Sequence, residues 1–302
     1  MTAIPRAISP YLESGHRFDA GRRWVASLDL GFAARDTVTR LSRARHQGPL
    51  RVQRPFYPEG RDTGGCPGTC HVYLLHPPGG VVSGDALNID VEVGAGARAL
   101  LTTPAANKLY RADSQGVPWR QHTRLEVADD GVLEWLPQET IAFDGSRGEQ
   151  VTTIELTGNA RCLGWEVLAL GRPASDLPFA SGHLEQRFHL TREGRPLWLE
   201  RQPLDPTHPR FHGHWGQGGA TVQASLWAAG LSEEDEAEAV AALRDDLPGS
   251  HRWAVTARHG VLLLRYLGNS RNEAWDLCRR AWDVLRPRLT GRKAQEPRIW
   301  ST

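Results

Sequence analysis

A chain of 302 residues is long enough to bury a full core, as one large domain or two. With 40% apolar and 24% charged residues it reads as soluble and globular, and a formal charge of +1 argues against a general nucleic-acid binder. The near-neutral total hides asymmetry: residues 1–54 carry ten Arg against four acids, whereas 231–246 carry seven acids against Arg244, so these stretches suit partners of opposite sign or serve as solvated faces.

Residues 1–21 are polar, contain Pro5 and Pro10, lack a period and read as a flexible tail rather than a signal peptide. No apolar run approaches membrane-spanning length, and the expectation is a cytoplasmic protein with reduced thiols. From residue 22 to 302 the chain reads as a single β-rich domain. Apolar and polar residues alternate in Trp24–Leu30, Thr37–Leu41, Leu50–Phe56 and Leu87–Val93, and again over 97–104, 122–128, 131–137, 151–157, 160–170, 184–201 and 221–229. Three of these segments start on small residues, run apolar and stop at Pro104, Pro137 and Pro173, a near-constant spacing that suits either a solenoid of short strands or hairpins in a sandwich. Two helices are expected late. One lies near 232–247, capped by Ser232 with acids in its first turn. The second lies near 271–286, with Ser270 and Glu273 as a capping box, and ends at Arg286-Pro287. Arg252–Leu267 between them reads as a hairpin turning at His259-Gly260.

Chemistry concentrates at Cys70–Leu87. A strand is broken by Pro77-Pro78, which remove two backbone donors, and by Gly79-Gly80, which permit positive φ; a polar bend, Ser83-Gly84-Asp85, follows. Cys66, Cys70, His71 and His76 offer thiolate and imidazole ligands for a transient Zn, Ni or Cu site, although no second ligand pair completes a structural zinc motif. His208, His212 and His214 form a second cluster in a Pro- and Gly-rich loop. Glu134, Glu139, Asp144 and Glu166 sit in or beside apolar strands, where a charge must be paired, solvated or functional. Cys278 shares an apolar helix face with Trp275 and Trp282 and reads as a core thiol. No nucleophile elbow, phosphate-binding Gly loop or Rossmann fingerprint is present, so an enzyme reading reduces to a metal-dependent hydrolase or isomerase using His71, His76 and Asp85.

Gly48–Gly60 and Cys70–Asp85, followed by Leu101–Pro104, Lys108–Arg111, Leu133–Glu139, Phe143–Gly145, Gly164–Glu166, Leu170–Pro173, Arg265–Gly268 and Pro297–Trp300, together closely resemble the urease accessory protein family UreD, also called UreH. The likeness runs from about Trp24 to the C-terminus. It implies a mainly β, β-helical solenoid-like superhelix with a small C-terminal helical element. It also implies a non-catalytic scaffold that binds urease apoprotein and UreF, joins the GTPase UreG through UreF, and conducts nickel through a polar interior without holding a tight cofactor. The scaffold stands alone or as a dimer within the accessory complex. By motif, Asp85, Asp144 and Glu166 are the implied conduit residues. Cys70, His71 and His76 match too but serve the fold equally well, as Pro77, Pro78, Gly79 and Gly80 do. The late helical face and tail, with Trp275, Trp282, Arg298 and Trp300, is the expected partner surface. Two departures stand out: Ser83-Gly84-Asp85 replaces the family's Gly-Gly-Asp, and Asp62–Thr69 reads as an insertion that leaves Cys66 outside the family pattern.

Overall fold

The structure, a computed structural model, describes residues 21–59 and 68–301; the expected tail up to residue 20 and Cys66 lie outside the described residues. The fold is mainly β. In chain order the strands are β1 (Trp24–Arg35), β2 (Val38–Gln47), β3 (Arg51–Val52), β4 (Cys70–Leu75), β5 (Asp85–Val93) and β6 (Arg98–Thr102). They continue as β7 (Asn107–Leu109), β8 (Trp119–Val127), β9 (Val132–Leu136), β10 (Thr140–Ala142), β11 (Arg147–Leu156) and β12 (Arg161–Arg172). The last are β13 (Leu177–Pro178), β14 (His183–Arg192), β15 (Arg195–Leu204), β16 (Val222–Ala229), β17 (Trp253–Arg258) and β18 (Val261–Gly268).

Two sheets divide these strands. The first is ordered β15-β14-β11-β8-β5-β1-β2, and the second runs β17-β18-β16-β12-β9-β6-β4-β3. Within the first, β1, β5, β8, β11 and β14 are parallel, and each flank is closed by one antiparallel hairpin strand. Within the second, β4, β6, β9 and β12 are parallel, and the short β7 and β10 add a further parallel ladder onto the end of β12. The chain therefore passes repeatedly from one sheet to the other and returns in parallel one rung further on. Ala86, Arg120, Glu149 and Glu185 are successive register partners, separated by about 30–36 residues, the scale of repeat architectures. Among the described residues neither sheet closes into a barrel.

Strand alternation then sorts the side chains. Alternate residues such as Ile89, Val91, Leu125 and Ile154 of the first sheet pack between the sheets against Val72, Leu101, Leu133 and Trp227 of the second. The intervening residues of the second sheet, Leu100, Leu163, Trp165 and Leu226 among them, pack outward beneath two helices.

Among the described residues three α-helices are present where two are expected. The extra one, α1 (Pro209–His212), is a single turn in the His-rich loop, too short to show a period. α2 (Glu233–Asp246) and α3 (Arg271–Thr290) start as expected: Ser232 Oγ accepts from the Asp235 N–H at 3.1 Å and Ser270 Oγ from the Glu273 N–H at 3.2 Å. α3 does not stop at Arg286-Pro287 but continues to Thr290 and ends at Gly291, whose φ of 72° and N–H bond to the Pro287 carbonyl at 2.8 Å make a left-handed cap. Pro287 removes only one donor near the helix end, and the buried Arg286 and Leu289 on either side anchor the final turn. The hairpin turn at His259-Gly260 forms as expected, both residues at positive φ. The segment 184–201, which alternates continuously, is instead two strands divided at Glu193-Gly194 by the same kind of turn. Among the described residues no helix is long and apolar enough to cross a membrane.

Candidate functional site

Trp165 and Glu166 are neighbours on β12 and must face opposite ways. Trp165 goes to the helix side, where its Nε1 donates to the Pro137 carbonyl at 2.8 Å, and Glu166 goes into the space between the sheets. Gly164 makes the local packing feasible, because a Cβ there would lie 2.6 Å from the Trp227 ring and 2.8 Å from the Trp135 carbonyl oxygen. Gly164→Ala is accordingly expected to lower folding stability by about 1–3 kcal/mol, read as a shift in a denaturant melt.

The half-buried Glu166 borders two cavities, of about 130 Å³ and about 40 Å³, which also share Gln186. Burial pushes its carboxyl up to about 7, with the nearby Glu200 adding to the rise. The Thr152 hydroxyl donates to Glu166 Oε1 at 2.5 Å and opposes that rise. The other acids read in or beside apolar strands are ion-paired: Glu134 with Arg286, Glu139 with Arg271 at 2.7 Å, and Asp144 with Arg111. Glu166 has no cationic partner among the described residues.

The larger cavity reaches His76 at the end of β4, and His76 also borders an outer groove of about 500 Å³ that contains Asp85 and Trp24. Asp85 opens β5 on the inward-facing register shared by Leu87, Ile89 and Val91. Its Oδ2 accepts from the Val82 N–H at 2.9 Å, and Gly84, at a φ of 85°, makes the bend that Ser83 precedes. Burial raises the Asp85 carboxyl and lowers the His76 imidazole, each offset in part by the other's charge. The chain turns tightly after His76: the Gly79 N–H closes onto the His76 carbonyl at 2.8 Å, with φ of 73° at Gly79.

The remaining candidates lie elsewhere. Asp144 ties a loop: its Oδ1 accepts from the Ser181 N–H at 2.7 Å, the Ser181 hydroxyl at 2.9 Å and the Ala180 N–H at 3.1 Å, and it borders neither Glu166 cavity. Cys70 is a core thiol 3.7 Å from the Tyr57 hydroxyl, pushed up to about 11 by burial. His71, one residue on, faces the helix layer, and its Nε2 meets Glu59 at 2.7 Å. Glu59 also binds Arg286 at 2.5 Å, and Arg286 reaches Glu134 at 2.8 Å, so His71 belongs to a buried ionic network rather than to the His76–Asp85 groove. Among the described residues no three His, Cys, Asp or Glu side chains gather into a metal-holding group. Trp275 and Trp282 are covered by protein: Trp275 packs edge-on against Trp165, and Trp282 donates to Glu134 at 2.7 Å. Trp300 packs beside both and donates to the Thr102 hydroxyl at 2.8 Å, leaving Arg298 exposed.

A sequence model of the UreD urease accessory protein family matches residues 25–301. The chain belongs to the UreD family. Among similar proteins, "Urease accessory protein UreD" of Marinobacter nauticus is 69% identical over 294 residues and is matched over 96% of each chain. "Urease accessory protein UreD 1" of Psychrobacter cryohalolentis is 66% identical over 304 residues, covering 99% of this chain and 98% of its own. "Urease accessory protein UreD" of Pseudoalteromonas translucida is 64% identical over 306 residues, covering 100% and 99%. Several of the UreD-like motifs border the cavities, among them the His76–Asp85 corner at the groove, Leu101–Pro104 and Leu133–Glu139 at the larger cavity, and Gly164–Glu166 between the sheets.

A further polar feature of this UreD chain had no counterpart in the sequence reading. Gln121, Gln150, Gln186 and Gln202 are direct register neighbours on four adjacent strands, all on the inward face. The available signal was a glutamine at the inward parity of each alternating strand.

Proposed function

We propose that the chain serves urease maturation as a non-catalytic scaffold, conducting nickel from an outer groove past Glu166 toward the urease apoprotein. Its partners in this reading are UreF, bound directly, UreG through UreF, and the urease subunits, and its compartment is the cytoplasm. The parallel rungs are read as coils of a solenoid-like superhelix whose interior holds the path. The observation that carries the proposal is Glu166: a carboxylate without a cationic partner among the described residues, placed between two sheets and bordering two cavities, in a chain of the UreD family. Oxygen donors of this type bind a borderline cation weakly enough to release it, which transit requires. Asp85 and His76 at the groove add a carboxylate and an imidazole near the larger cavity. A hydrolase or isomerase using His71, His76 and Asp85 is not favoured, because His71 is committed to Glu59 on the helix side.

The test is Asp85→Ala combined with Glu166→Ala in the complete set of urease maturation proteins. Co-purification with the accessory partners and urease is expected to persist, while nickel per urease, measured by elemental analysis, falls several-fold. Full loading by the double variant would reject the conduit.

A further inference from the structure

The glutamine row is an anomaly of position. It crosses the inner face of the first sheet, where Leu87 is the next register partner beyond Gln121 and where Leu125, Ile154 and Leu190 form a dry core two rungs away. An inward-facing carboxamide there needs partners, and most of these, half-buried except for the buried Gln150, find one another. Gln223, from the opposite sheet, is the hub: its Nε2 donates to Gln186 Oε1 at 2.8 Å and to Gln202 Oε1 at 2.7 Å. Its Oε1 accepts from Gln202 at 3.0 Å and from Gln217 at 2.6 Å. Gln186 also reaches Gln150 at 3.5 Å, and Gln121 accepts from Asn107 at 3.0 Å. The chain of amides thus passes along the wall of both cavities that meet at Glu166. It ends at Gln217, which is 2% exposed and whose Oε1 has no hydrogen-bond partner among the described residues. A buried carbonyl oxygen left unpaired costs about 1–3 kcal/mol, and such groups call for an explanation, a water or an ion among them.

We propose that this row of carboxamides is a series of neutral oxygen stepping stones along which a divalent cation moves to and from Glu166; the inference rests on the conduit reading above. Adjacent strands set the glutamines about 4.8 Å apart, so a cation held by one amide oxygen is within a short hop of the next. Each terminal amide torsion is broad and roughly two-fold, so a side chain turns its oxygen toward the cation or its NH₂ toward a neighbouring amide without leaving its place. The charge arrangement suits transit. Glu200 beside the smaller cavity is held by Arg265 at 2.5 Å, which leaves Glu166 as the one acid on these walls without a cationic partner among the described residues. One formal charge with several neutral oxygens attracts a dication, whereas a second free carboxylate would trap it.

The experiment uses the full chain with urease apoprotein and its accessory partners. Gln186→Met and Gln223→Met preserve volume but remove the amide, and each is expected to lower nickel loading of urease several-fold while the complex still co-purifies and the melting temperature stays within a few degrees. Gln186→Glu places a second carboxylate beside Glu166. It is expected to retain about one nickel per chain in equilibrium dialysis with NiCl₂, where the parent chain retains little, and to load urease poorly. Glu166→Gln runs in parallel. Normal loading by both methionine variants alongside impaired loading by Glu166→Gln overturns the row's role and leaves the conduit standing. Normal loading by Glu166→Gln overturns the conduit and the row with it. Failure of Gln186→Glu to retain nickel above the parent also overturns the row, since a merely structural amide would give that result.

Discussion

Arg286→Met is expected to destabilise the protein by about 3–5 kcal/mol, lowering its melting temperature by on the order of 10 °C. Arg286 is fully buried and lies between two carboxylates, Glu59 at 2.5 Å and Glu134 at 2.8 Å, with Trp282 donating to Glu134 from the same helix. Methionine fills much of the same space but leaves Glu134 in a low-dielectric layer without its cation, and leaves Glu59 to His71 and to Arg292, 3.5 Å away. The Glu134→Gln, Arg286→Met double variant is therefore expected to recover a large part of the loss, because a neutral amide still accepts from Trp282. A change below about 1 kcal/mol for Arg286→Met in a urea melt would show that the network is not what fastens α3 to the sheet. The same network predicts acid sensitivity. Burial opposes ionisation of Glu59, but His71 and Arg286 together bring its carboxyl down from 4.5 to about 2. An acid lowered in the folded state contributes stability that is fully present above pH 4.5 and is lost as pH falls toward 2, here on the order of 3 kcal/mol. Urea melts between pH 6 and pH 3 measure it, and Arg286→Met should flatten that slope.

Much of the strand content was legible because a half-buried strand has a period of two and little else imitates it. The alternation of Leu87–Val93 matches β5 almost residue for residue, and the His259-Gly260 dipeptide marks its turn directly. The hairpin at Glu193-Gly194 was hidden because Glu rarely adopts positive φ, so nothing marked a break inside a run that keeps its alternation. Helical periodicity found the apolar face of α3, but periodicity does not say what covers a face; Trp275 and Trp282 lie under β9 and β12 rather than facing outward. The same limit applies to the acids. A carboxylate in an apolar strand is visible in sequence, yet its partner is set by pairing across the sheets. Glu134 meets an arginine 152 positions away, and Asp144 meets backbone N–H groups of another loop, while Glu166 finds a threonine and a cavity. The glutamine row needed register most of all. Gln121, Gln150, Gln186 and Gln202 are unremarkable one at a time and become a row only when the parallel rungs bring them side by side.

Glu166→Gln is expected to stabilise the protein at alkaline pH while leaving it unchanged in mild acid, the reverse of the Glu59 behaviour. Burial raises the Glu166 carboxyl from 4.5 to about 7, so between these values the folded chain holds a proton that the unfolded chain has released. Stability then falls as pH rises through that window and levels off above it, by on the order of 3 kcal/mol once Glu166 is fully ionised. Glutamine mimics the protonated acid: it keeps an acceptor for the Thr152 hydroxyl at the position Oε1 now holds and carries no charge to bury. Paired urea melts of parent and variant at pH 4 and pH 8.5 are the measurement. The two should nearly coincide at pH 4 and separate at pH 8.5 in favour of the variant; a variant less stable at both would mean that the ionised carboxylate has a compensating partner. The prediction bears on transport as well. On the conduit reading proposed above, a carboxylate kept against an energetic penalty, where its isosteric amide folds better, is kept for its charge, and a passing dication would supply the counter-charge that the described residues do not.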